Sequence, residues 1–378
     1  MTAFVIQTPP RILFGRGEAA KAPALIKAFG TDGIVVHGAD PKRAAWLLDD
    51  LRAVGCTVRS ITCHQEPTLT MLETALARLR VHSPQWVVGL GGGAVLDLAK
   101  ALAGLISAPD PAMDYLEIVG RGLVVPGPTV PFIALPTTAG TGAEATKNAV
   151  IGLPDHGRKV SLRHDHLMAR LVIVDAALTD GCPRAITLAS GMDAVCQVVE
   201  TYVSNRATPF TDALARPAIG LGLSALQRLM QGEDQDARDK MAWVSLSSGM
   251  ALANGGLGAA HGLAGPIGGV CGAAHGAICG TLLGPVLALN RAGATGQAAA
   301  RLKDVCQIIA DALGCATADA PQALATWGKA AGLMPLLDLG LDPALHDQIA
   351  DAALISSSMK GNPVALTKAD ALMLLHQA

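Results

Sequence analysis

The chain has 378 residues, of which 51% are hydrophobic, 16% charged and 3% aromatic, and its formal net charge is -2. This length exceeds the size at which one hydrophobic core keeps growing, so we expect two domains, and the apolar content excludes intrinsic disorder. The near-neutral charge gives no electrostatic reason to expect nucleic acid or an anionic membrane as a partner.

The first half of the chain alternates strand and helix patterns, which is typical of a parallel sheet with crossover helices. Apolar runs predict strands at Arg11–Gly15, Gly33–His37, Thr57–Thr62, Trp86–Leu90, Phe132–Leu135 and Leu171–Asp175. Helical apolar spacing predicts helices at Glu18–Phe29, Pro41–Val54, Thr68–Arg80 and Ala94–Ile106. We therefore expect residues 1–180 to form an α/β domain.

A glycine-rich segment, Gly89–Lys100 (GLGGGAVLDLAK), follows the strongest predicted strand. Glycines let the backbone approach a ligand closely, and the helix that begins next presents free N–H groups to a phosphate. The spacing Gly89-x-Gly91-x-x-Ala94 satisfies the loose dinucleotide fingerprint, but it lies in a later βα unit than that fingerprint should. A phosphate-binding turn and a plain connection both fit this segment.

A second segment, Leu135–Thr146 (LPTTAGTGAEAT), also follows a predicted strand and places hydroxyl groups among small residues. Hydroxyls and backbone amides at the carboxyl end of a strand are what a dinucleotide needs in an open α/β sheet. Threonine and glycine are equally favoured where a capped helix begins. Both interpretations stay open for this segment taken alone.

From about Leu178 the strand patterns stop and helical spacing continues to the end of the chain. We predict helices at Pro183–Ser204, Thr211–Met230, Asp234–Ala253, Gln297–Leu313, Ala320–Ala331 and Asp342–Ser357. Residues 241–290 contain no Asp, Glu, Lys or Arg, but serines, histidines and many glycines interrupt the run. We interpret it as the buried centre of a helical domain that also lines a site, rather than as a membrane span.

Two potential metal ligands share a helix face in this half. Asp193 and Gln197 lie four residues apart, so their side chains project in the same direction. His261 and His275 lie in the charge-free stretch, where a single histidine is more often a hydrogen-bonded buried side chain than a ligand. A carboxylate and two imidazoles nevertheless form a reasonable divalent metal site, which the Gln197 oxygen could complete.

Four segments occur in order along the chain: GGGAVLDLAK, PTTAGTGAE, SGMDAVCQVVETYVS and GLGAAHGLAGPIGGVCGAAHG. Together they resemble the iron-containing (group III) alcohol dehydrogenases, whose fold is shared with glycerol dehydrogenase and dehydroquinate synthase. The resemblance covers essentially the whole chain. It implies an α/β dinucleotide-binding domain over residues 1–180 and an all-helical metal and substrate domain over residues 181–378.

The resemblance also assigns site residues. The pyrophosphate of NAD or NADP would contact Gly92, Gly93 and Ala94. The cofactor's ribose and nicotinamide would meet Thr137, Thr138, Thr141, Thr146 and Lys159, and Gly38 and Asp97 complete the predicted cofactor-binding set. The family's metal ligands, one Asp and three His, fall on Asp193, Gln197, His261 and His275, and the two histidines are also the predicted catalytic residues.

Two positions depart from the family pattern. Gln197 stands where the family usually has His, and an amide oxygen binds Fe²⁺ or Zn²⁺ more weakly than imidazole. Gly265 stands where the family often has a second His, so a proton relay through that side chain is absent. Bound water or a cofactor ribose hydroxyl is the remaining route for the proton.

We therefore predict a cytoplasmic, homodimeric oxidoreductase that transfers a hydride between NAD(P) and a small alcohol or aldehyde with a divalent metal. The location follows from the missing signal peptide and from eight scattered cysteines without a CxxC pair. Neither nucleic acid nor a membrane is expected as a partner. The alternatives are a metal-independent, maleylacetate-reductase-like enzyme acting on a keto acid, a lyase that recycles NAD, and a non-catalytic nucleotide-binding protein.

Overall fold

A computed structural model describes residues 3–378. The chain forms two compact units. The α/β unit comprises Thr8–Thr138 and Ala143–Thr179, and the helical unit comprises Asp180–Ala378 together with Ala139–Gly142 and residues 3–7. Across residues 3–378, every helix is too short or too polar to cross a lipid bilayer.

The α/β unit is built on a parallel sheet of six strands. Its strands are β1 (Ile12–Phe14), β2 (Asp32–His37), β3 (Thr57–Thr62), β4 (Trp86–Gly91), β5 (Phe132–Pro136) and β8 (Leu171–Val174). All six were predicted from the sequence, and the α/β fold class is confirmed. β4, β5 and β8 are buried along their whole length, which explains why their sequences are almost continuously apolar.

The strand order β1-β8-β5-β4-β2-β3 reverses direction at β2. From β2 the chain continues on one side to β3, and then returns to place β4 on the other side of β2. In open α/β sheets, ligands bind outside the carboxyl ends of the strands at such a switch point. Gly38 follows β2 and the glycine-rich turn follows β4, so the sheet brings both predicted segments to this edge.

The helices of the α/β unit are α1 (Ala22–Lys27), α2 (Lys42–Ala53), α3 (Leu69–Leu79) and α4 (Gly93–Leu105). The helix predicted at Glu18–Phe29 is divided, because a 3₁₀ turn at Glu18–Lys21 precedes α1 and Pro23 lies in its first turn. The sequence analysis missed one antiparallel hairpin, β6 (Asn148–Leu153) and β7 (Arg158–Arg163). Its turn contains Pro154 and Gly157, and this turn signal directly after the apolar sequence of β6 could have identified the hairpin.

The helical unit consists of α-helices with short connections, as predicted. They are α5 (Arg184–Val203), α6 (Pro209–Gln231), α7 (Gln235–Gly255), α8 (Ala259–Cys271), α9 (His275–Gly293), α10 (Gly296–Leu313), α11 (Ala320–Ala331), α12 (His346–Leu354) and α13 (Lys368–Gln377). The helix predicted at Asp342–Ser357 is shorter, since Pro343 starts a 3₁₀ turn before α12. Helices α8, α9 and α13 were not predicted individually, although the stretch that contains α8 and most of α9 was assigned to the helical domain.

Helix α5 lies at the centre of the helical unit. Every residue from Gly191 to Val203 is buried, and the helix packs against α6, α7 and α9. The charge-free stretch 241–290 forms the end of α7, all of α8 and most of α9, which confirms that it is the buried centre of this unit. Polar side chains on α5 are therefore held inside the protein and need partners there.

Candidate active site

The glycine-rich turn between β4 and α4 forms a helix N-terminus without a side-chain cap. Gly92 is the N-cap, with an extended backbone (φ -75°, ψ -175°) and no side-chain hydrogen bond. The first-turn N–H groups of such a helix are left for a ligand, and the helix dipole favours an anion there. A Cβ on Gly92 would lie 3.1 Å from the hydroxyl oxygen of Thr138, so the turn and this threonine lie against each other.

The neighbouring strand ends bring two more predicted residues to the same edge. The backbone N–H of Thr137 donates to the carbonyl of Gly91 (2.9 Å), which fixes the residues after β5 beside the glycine-rich turn. Gly38 follows β2, and a Cβ placed on it would meet no atom within 4 Å. Gly38, Gly92, Gly93, Ala94, Thr137 and Thr138 thus lie at the carboxyl ends of three adjacent strands.

Two predicted cofactor residues lie instead around a buried lysine. Lys100 is fully buried and donates to the carbonyls of Ala143 and Asn148 (both 2.7 Å) and to the hydroxyl oxygen of Thr146 (3.0 Å). Asp97 lies 3.8 Å from the Lys100 ammonium and accepts a hydrogen bond from the backbone of β6. The Thr146 hydroxyl in turn contacts the Ala143 carbonyl, so it is directed into the fold.

The remaining cofactor predictions fall in separate places. Lys159 on β7 forms an ion pair with Glu66. Thr141 lies in the short segment that belongs to the helical unit, where its carbonyl accepts a hydrogen bond from the Gln197 amide (3.2 Å). The assignment of Asp97, Thr141, Thr146 and Lys159 to the cofactor therefore stays a prediction.

The helical unit brings Asp193, His261 and His275 together. Asp193 comes from the middle of α5, His261 from the first turn of α8, and His275 is the first residue of α9. His261 Nε2 lies 3.2 Å from Asp193 Oδ1, and the two imidazole centroids are 5.4 Å apart. Asp193 and His261 are almost inaccessible to solvent.

A fourth side chain, Cys279, joins this group although the sequence analysis did not select it. Ligand atoms of Asp193, His261, His275 and Cys279 all lie within 4.8 Å of one another. Cys279 is one helical turn after His275 in α9, and its Sγ lies 3.6 Å from His275 Nε2. The spacing His-x-x-x-Cys was the signal that could have identified it. We call these four residues the metal cluster.

Glu200 is a second residue that the sequence analysis missed. Its Oε2 accepts from His261 Nδ1 (2.7 Å) and from the backbone N–H of Gly258 (3.0 Å), and its Oε1 accepts from Ala260 N–H (2.7 Å). A metal-binding histidine typically donates its other ring nitrogen to a carboxylate in this way. Glu200 lies seven residues after Asp193, two helical turns along the same face of α5, which was the available signal.

The side chain of Gln197 forms hydrogen bonds with other protein groups rather than with the metal cluster. Its side-chain oxygen accepts from the Ser248 hydroxyl (2.8 Å), and its amide nitrogen donates to the Thr141 carbonyl. It is buried on α5, one turn after Asp193. Its predicted role as a ligand stays a prediction.

Burial and mutual contact shift the pKa values of these groups in opposite directions. Burial alone lowers the pKa of His261, but the negative charges and hydrogen bonds of Cys279, Asp193 and Glu200 outweigh it and raise the pKa well above the usual value. Burial raises the pKa of the Cys279 thiol, but Cys196 and the two imidazoles outweigh it and hold the pKa well below the usual value. The cluster therefore favours charge separation between thiol and imidazole.

The donor set fits a divalent metal ion. It combines carboxylate oxygen, imidazole nitrogen and sulfur, the ligand types that borderline metals such as Zn²⁺ take. Hydrogen bonding to Glu200 fixes His261 with its Nε2 toward Asp193 rather than toward solvent. Buried carboxylates need a compensating positive charge, and the stretch 241–290 around the cluster contains neither Lys nor Arg.

Comparison with known proteins gives a consistent family. Residues 9–176 match the model described as iron-containing alcohol dehydrogenase, and residues 187–378 match that of the C-terminal domain of the Fe-containing alcohol dehydrogenase family. Alcohol dehydrogenase 4 of Schizosaccharomyces pombe is 33% identical over 96% of this chain and 86% of its own length. Lactaldehyde reductase of Escherichia coli is 32% identical over 82% of this chain and 81% of its own length. The crystal structure of a 1,3-propanediol oxidoreductase superposes with a TM-score of 0.90 and 26% identity, covering 100% of both chains.

Proposed function

Because this chain belongs to the iron-containing alcohol dehydrogenase family, we propose that it transfers a hydride between NAD(P) and a small primary alcohol or aldehyde. The chain is an oxidoreductase of the alcohol dehydrogenase and aldehyde reductase class, whose family implies a nicotinamide cofactor and a divalent metal. The observation that carries the proposal is the convergence of Asp193, His261 and His275 around one point. The relatives' names do not favour the keto-acid alternative.

The α/β unit would bind the cofactor. We assign the pyrophosphate to the first-turn N–H groups of α4 after Gly92, and the adjoining ribose and nicotinamide to Thr137 and Thr138. Asp97 and Thr146 would contribute by holding Lys100 and β6 in place behind the turn. We take residues 1–180 as the cofactor-binding domain and 181–378 as the metal and substrate domain.

In the helical unit, Asp193, His261 and His275 would hold the metal, and Glu200 would keep the His261 ring in the required tautomer. When bound there, a divalent ion acts as a Lewis acid toward the substrate oxygen. Gly265, one turn after His261, offers no side chain, and a Cβ there would meet no atom within 4 Å. The open space beside it would admit the substrate, and the proton would pass to water or a ribose hydroxyl.

The experiment is a metal titration into stripped enzyme, followed by NAD(P)H absorbance with a panel of alcohols and aldehydes. Activity should return with about one metal ion per chain in the wild type. His261→Ala should retain no metal and lose activity, because at most three ligands remain and the orienting contact to Glu200 is gone. His346→Ala, at a buried histidine elsewhere in the helical unit, is the control. A stripped wild type that turns over at full rate would show that the metal proposal is wrong.

The cofactor assignment has its own test. Gly92→Val should weaken NADH binding by about tenfold or more, or about 1.4 kcal/mol, because its side chain would take up space between Thr138 and the proposed pyrophosphate position at the start of α4. The backbone at Gly92 is one that any residue adopts, but the new Cβ would lie 3.1 Å from Thr138, so the melting temperature should fall by no more than that of the control variant. Gly89→Ala is the matched control, since its Cβ would press on Leu96 and Ala99 and so affect stability rather than binding. If Gly92→Val binds NADH normally, the assignment of the pyrophosphate to this turn is wrong.

A further inference from the structure

Cys279 occupies a position that a metal ligand would occupy. It lies on the same face of α9 as His275, one turn later, and its side chain is buried. Its sulfur belongs to the set of ligand atoms that includes Asp193 and His261. Cys196, the other buried thiol nearby, lies instead 3.7 Å from His261 Nδ1, on the side of the ring that faces Glu200.

Two distances within the metal cluster match the edges of a tetrahedral site. With metal–sulfur bonds of about 2.3 Å and metal–nitrogen bonds of about 2.0–2.1 Å, a sulfur and a nitrogen ligand are separated by about 3.5 Å. Cys279 Sγ and His275 Nε2 are 3.6 Å apart. A nitrogen and an oxygen ligand are separated by about 3.3 Å in the same geometry. His261 Nε2 and Asp193 Oδ1 are 3.2 Å apart.

Gln197 is less suited to be the fourth ligand. Both polar atoms of its amide already have protein partners, Ser248 and the Thr141 carbonyl. Turning the oxygen to a metal would break the bond from Ser248, whose hydroxyl could still donate to the Ser245 carbonyl (2.8 Å), and would pull the amide nitrogen from the Thr141 carbonyl, which would lose that buried donor. Cys279 needs no such rearrangement.

We propose that Cys279 is the fourth ligand of the metal, giving an Asp–His–His–Cys site in which Gln197 lies outside the coordination shell. This inference rests on the proposed function, because it concerns the same metal. A carboxylate and a thiolate together balance the charge of a divalent ion, while the two imidazoles stay neutral. A sulfur ligand shifts preference toward zinc over the harder ions that oxygen ligands favour.

The first test is the absorption spectrum of the wild-type protein after its metal is replaced by Co²⁺. Coordination by Cys279 should produce a sulfur-to-cobalt charge-transfer band in the near ultraviolet with one equivalent of Co²⁺. Cys279→Ser should lose this band, whereas Cys196→Ser, the matched control at the neighbouring thiol, should keep it. Because the wild-type spectrum needs no variant, the test stands even if Cys279→Ser folds poorly.

The second test compares Zn²⁺ dissociation constants measured by competition with a chromogenic chelator. Cys279→Ser should weaken Zn²⁺ binding by at least about tenfold, the loss that even an outer partner of a ligand can cause. Gln197→Ala should change it by less than about threefold, as for a residue outside the shell. Tight Co²⁺ binding without a charge-transfer band would overturn the proposal, and so would a larger loss of Zn²⁺ affinity in Gln197→Ala than in Cys279→Ser, which would make Gln197 the ligand.

The two proposals fail in different ways. If the stripped enzyme is fully active but Co²⁺ shows the charge-transfer band, the ligand assignment to Cys279 holds and the catalytic role of the metal is wrong. If activity depends on the metal but the spectrum shows no sulfur ligand, the function holds and Cys279 is not a ligand.

Discussion

Each unit of the protein buries a cluster of charged side chains, and the two clusters differ in how their charge is balanced. In the α/β unit, the Lys100 ammonium is surrounded by oxygen atoms of Ala143, Thr146 and Asn148, with Glu144 buried nearby. In the helical unit, the carboxylates of Asp193 and Glu200 contact imidazole and backbone N–H groups. The first cluster contains a lysine ammonium, whereas in the second only the imidazoles can carry positive charge and the ligand atoms lie close enough together to hold a metal cation.

This difference suits the first cluster to stabilising the fold and the second to binding a ligand. A buried ion whose hydrogen-bonding groups are matched by protein partners stabilises the fold around it. Ligand atoms that converge on one point, with a carboxylate fixing an imidazole behind them, form a place for a ligand. Lys100 is the last residue of the segment that resembles a cofactor-binding motif, yet its ammonium group contacts only protein oxygen atoms and so stabilises the fold. Cys279 belongs to no predicted motif position, yet it lies in the metal cluster.

The largest expected effect comes from removing the cation of the α/β unit. Lys100→Met keeps the length of the side chain but leaves two carbonyls, Glu144 and Asp97 without their ammonium. Breaking a buried pair in this way costs about 3–5 kcal/mol of unfolding free energy. Urea unfolding measures it, with Lys42→Met on the exposed start of α2 as the control, for which we expect a change within about 0.5 kcal/mol. If the free energy of unfolding falls by less than about 1 kcal/mol in Lys100→Met, the oxygen atoms around this buried position do not need the ammonium group.

The second prediction concerns pH. Burial raises the pKa of Glu144 to about 7 from its usual value, despite the opposing effect of its own backbone N–H and of Lys100. The folded protein therefore holds this proton more tightly than the unfolded chain, so the stability contributed by Glu144 falls as pH rises from about 4.5 to 7. Glu144→Gln removes this slope, and the variant should gain on the order of 3 kcal/mol relative to wild type across that range.

Stability curves of both proteins between pH 5 and pH 8 measure this difference. Glu73→Gln, at an exposed position on α3, is the control for removing one carboxylate. If the difference between Glu144→Gln and wild type does not change with pH, Glu144 stays ionised in the folded protein and Lys100 has two anionic neighbours.

The third prediction tests the helical unit. Glu200→Gln keeps the shape of the side chain, but its neutral group holds the Nδ1 proton of His261 less strongly and meets backbone donors with an amide. We expect metal affinity to fall by about 10- to 100-fold, as for other outer-shell partners. Metal dissociation constants at several pH values measure it, with Glu233→Gln, whose partner is Arg238, as the control. If the metal affinity is unchanged, Glu200 acts only by accepting hydrogen bonds from the backbone at the start of α8.

Local patterns predicted most of the fold because each element carries its own signal. β4, β5 and β8 are short apolar runs, and helix α5 has helical spacing over its whole length. Strand β6 (NAVIGL) carries an apolar signal, but its partner β7 (RKVSLR) contains Lys and Arg and has an exposed residue at each end, so the hairpin as a pair was missed.

The site could be predicted only in part, because its chemistry depends on contacts between distant segments. Asp193, His261 and His275 were identified through the family resemblance, and the structure brings them together. The partners of Lys100 lie 43 to 48 residues away in sequence, so its burial could not be inferred from the motif. Likewise, the pairing of Gln197 with Ser248 spans 51 residues, and only the fold shows that both of its polar atoms already have partners.

The smallest expected effect concerns cofactor choice at the end of β2. Strong preference for NAD usually needs an acidic residue there, which binds the ribose 2′-hydroxyl and repels a 2′-phosphate. This chain has Gly38 at that place, and the nearby Asp40 accepts a hydrogen bond from the backbone of Lys42 at the start of α2. We therefore expect discrimination against NADP(H) below about tenfold, or about 1.4 kcal/mol.

Gly38→Asp should raise the NAD preference above that level without loss of stability, since a Cβ on Gly38 meets no atom within 4 Å. The ratios of kcat/KM for NADH and NADPH in wild type, Gly38→Asp and Asp40→Ala measure this. A wild-type preference for NADH above a hundredfold that disappears in Asp40→Ala would show that Asp40 reaches the ribose and performs the role that Gly38 cannot.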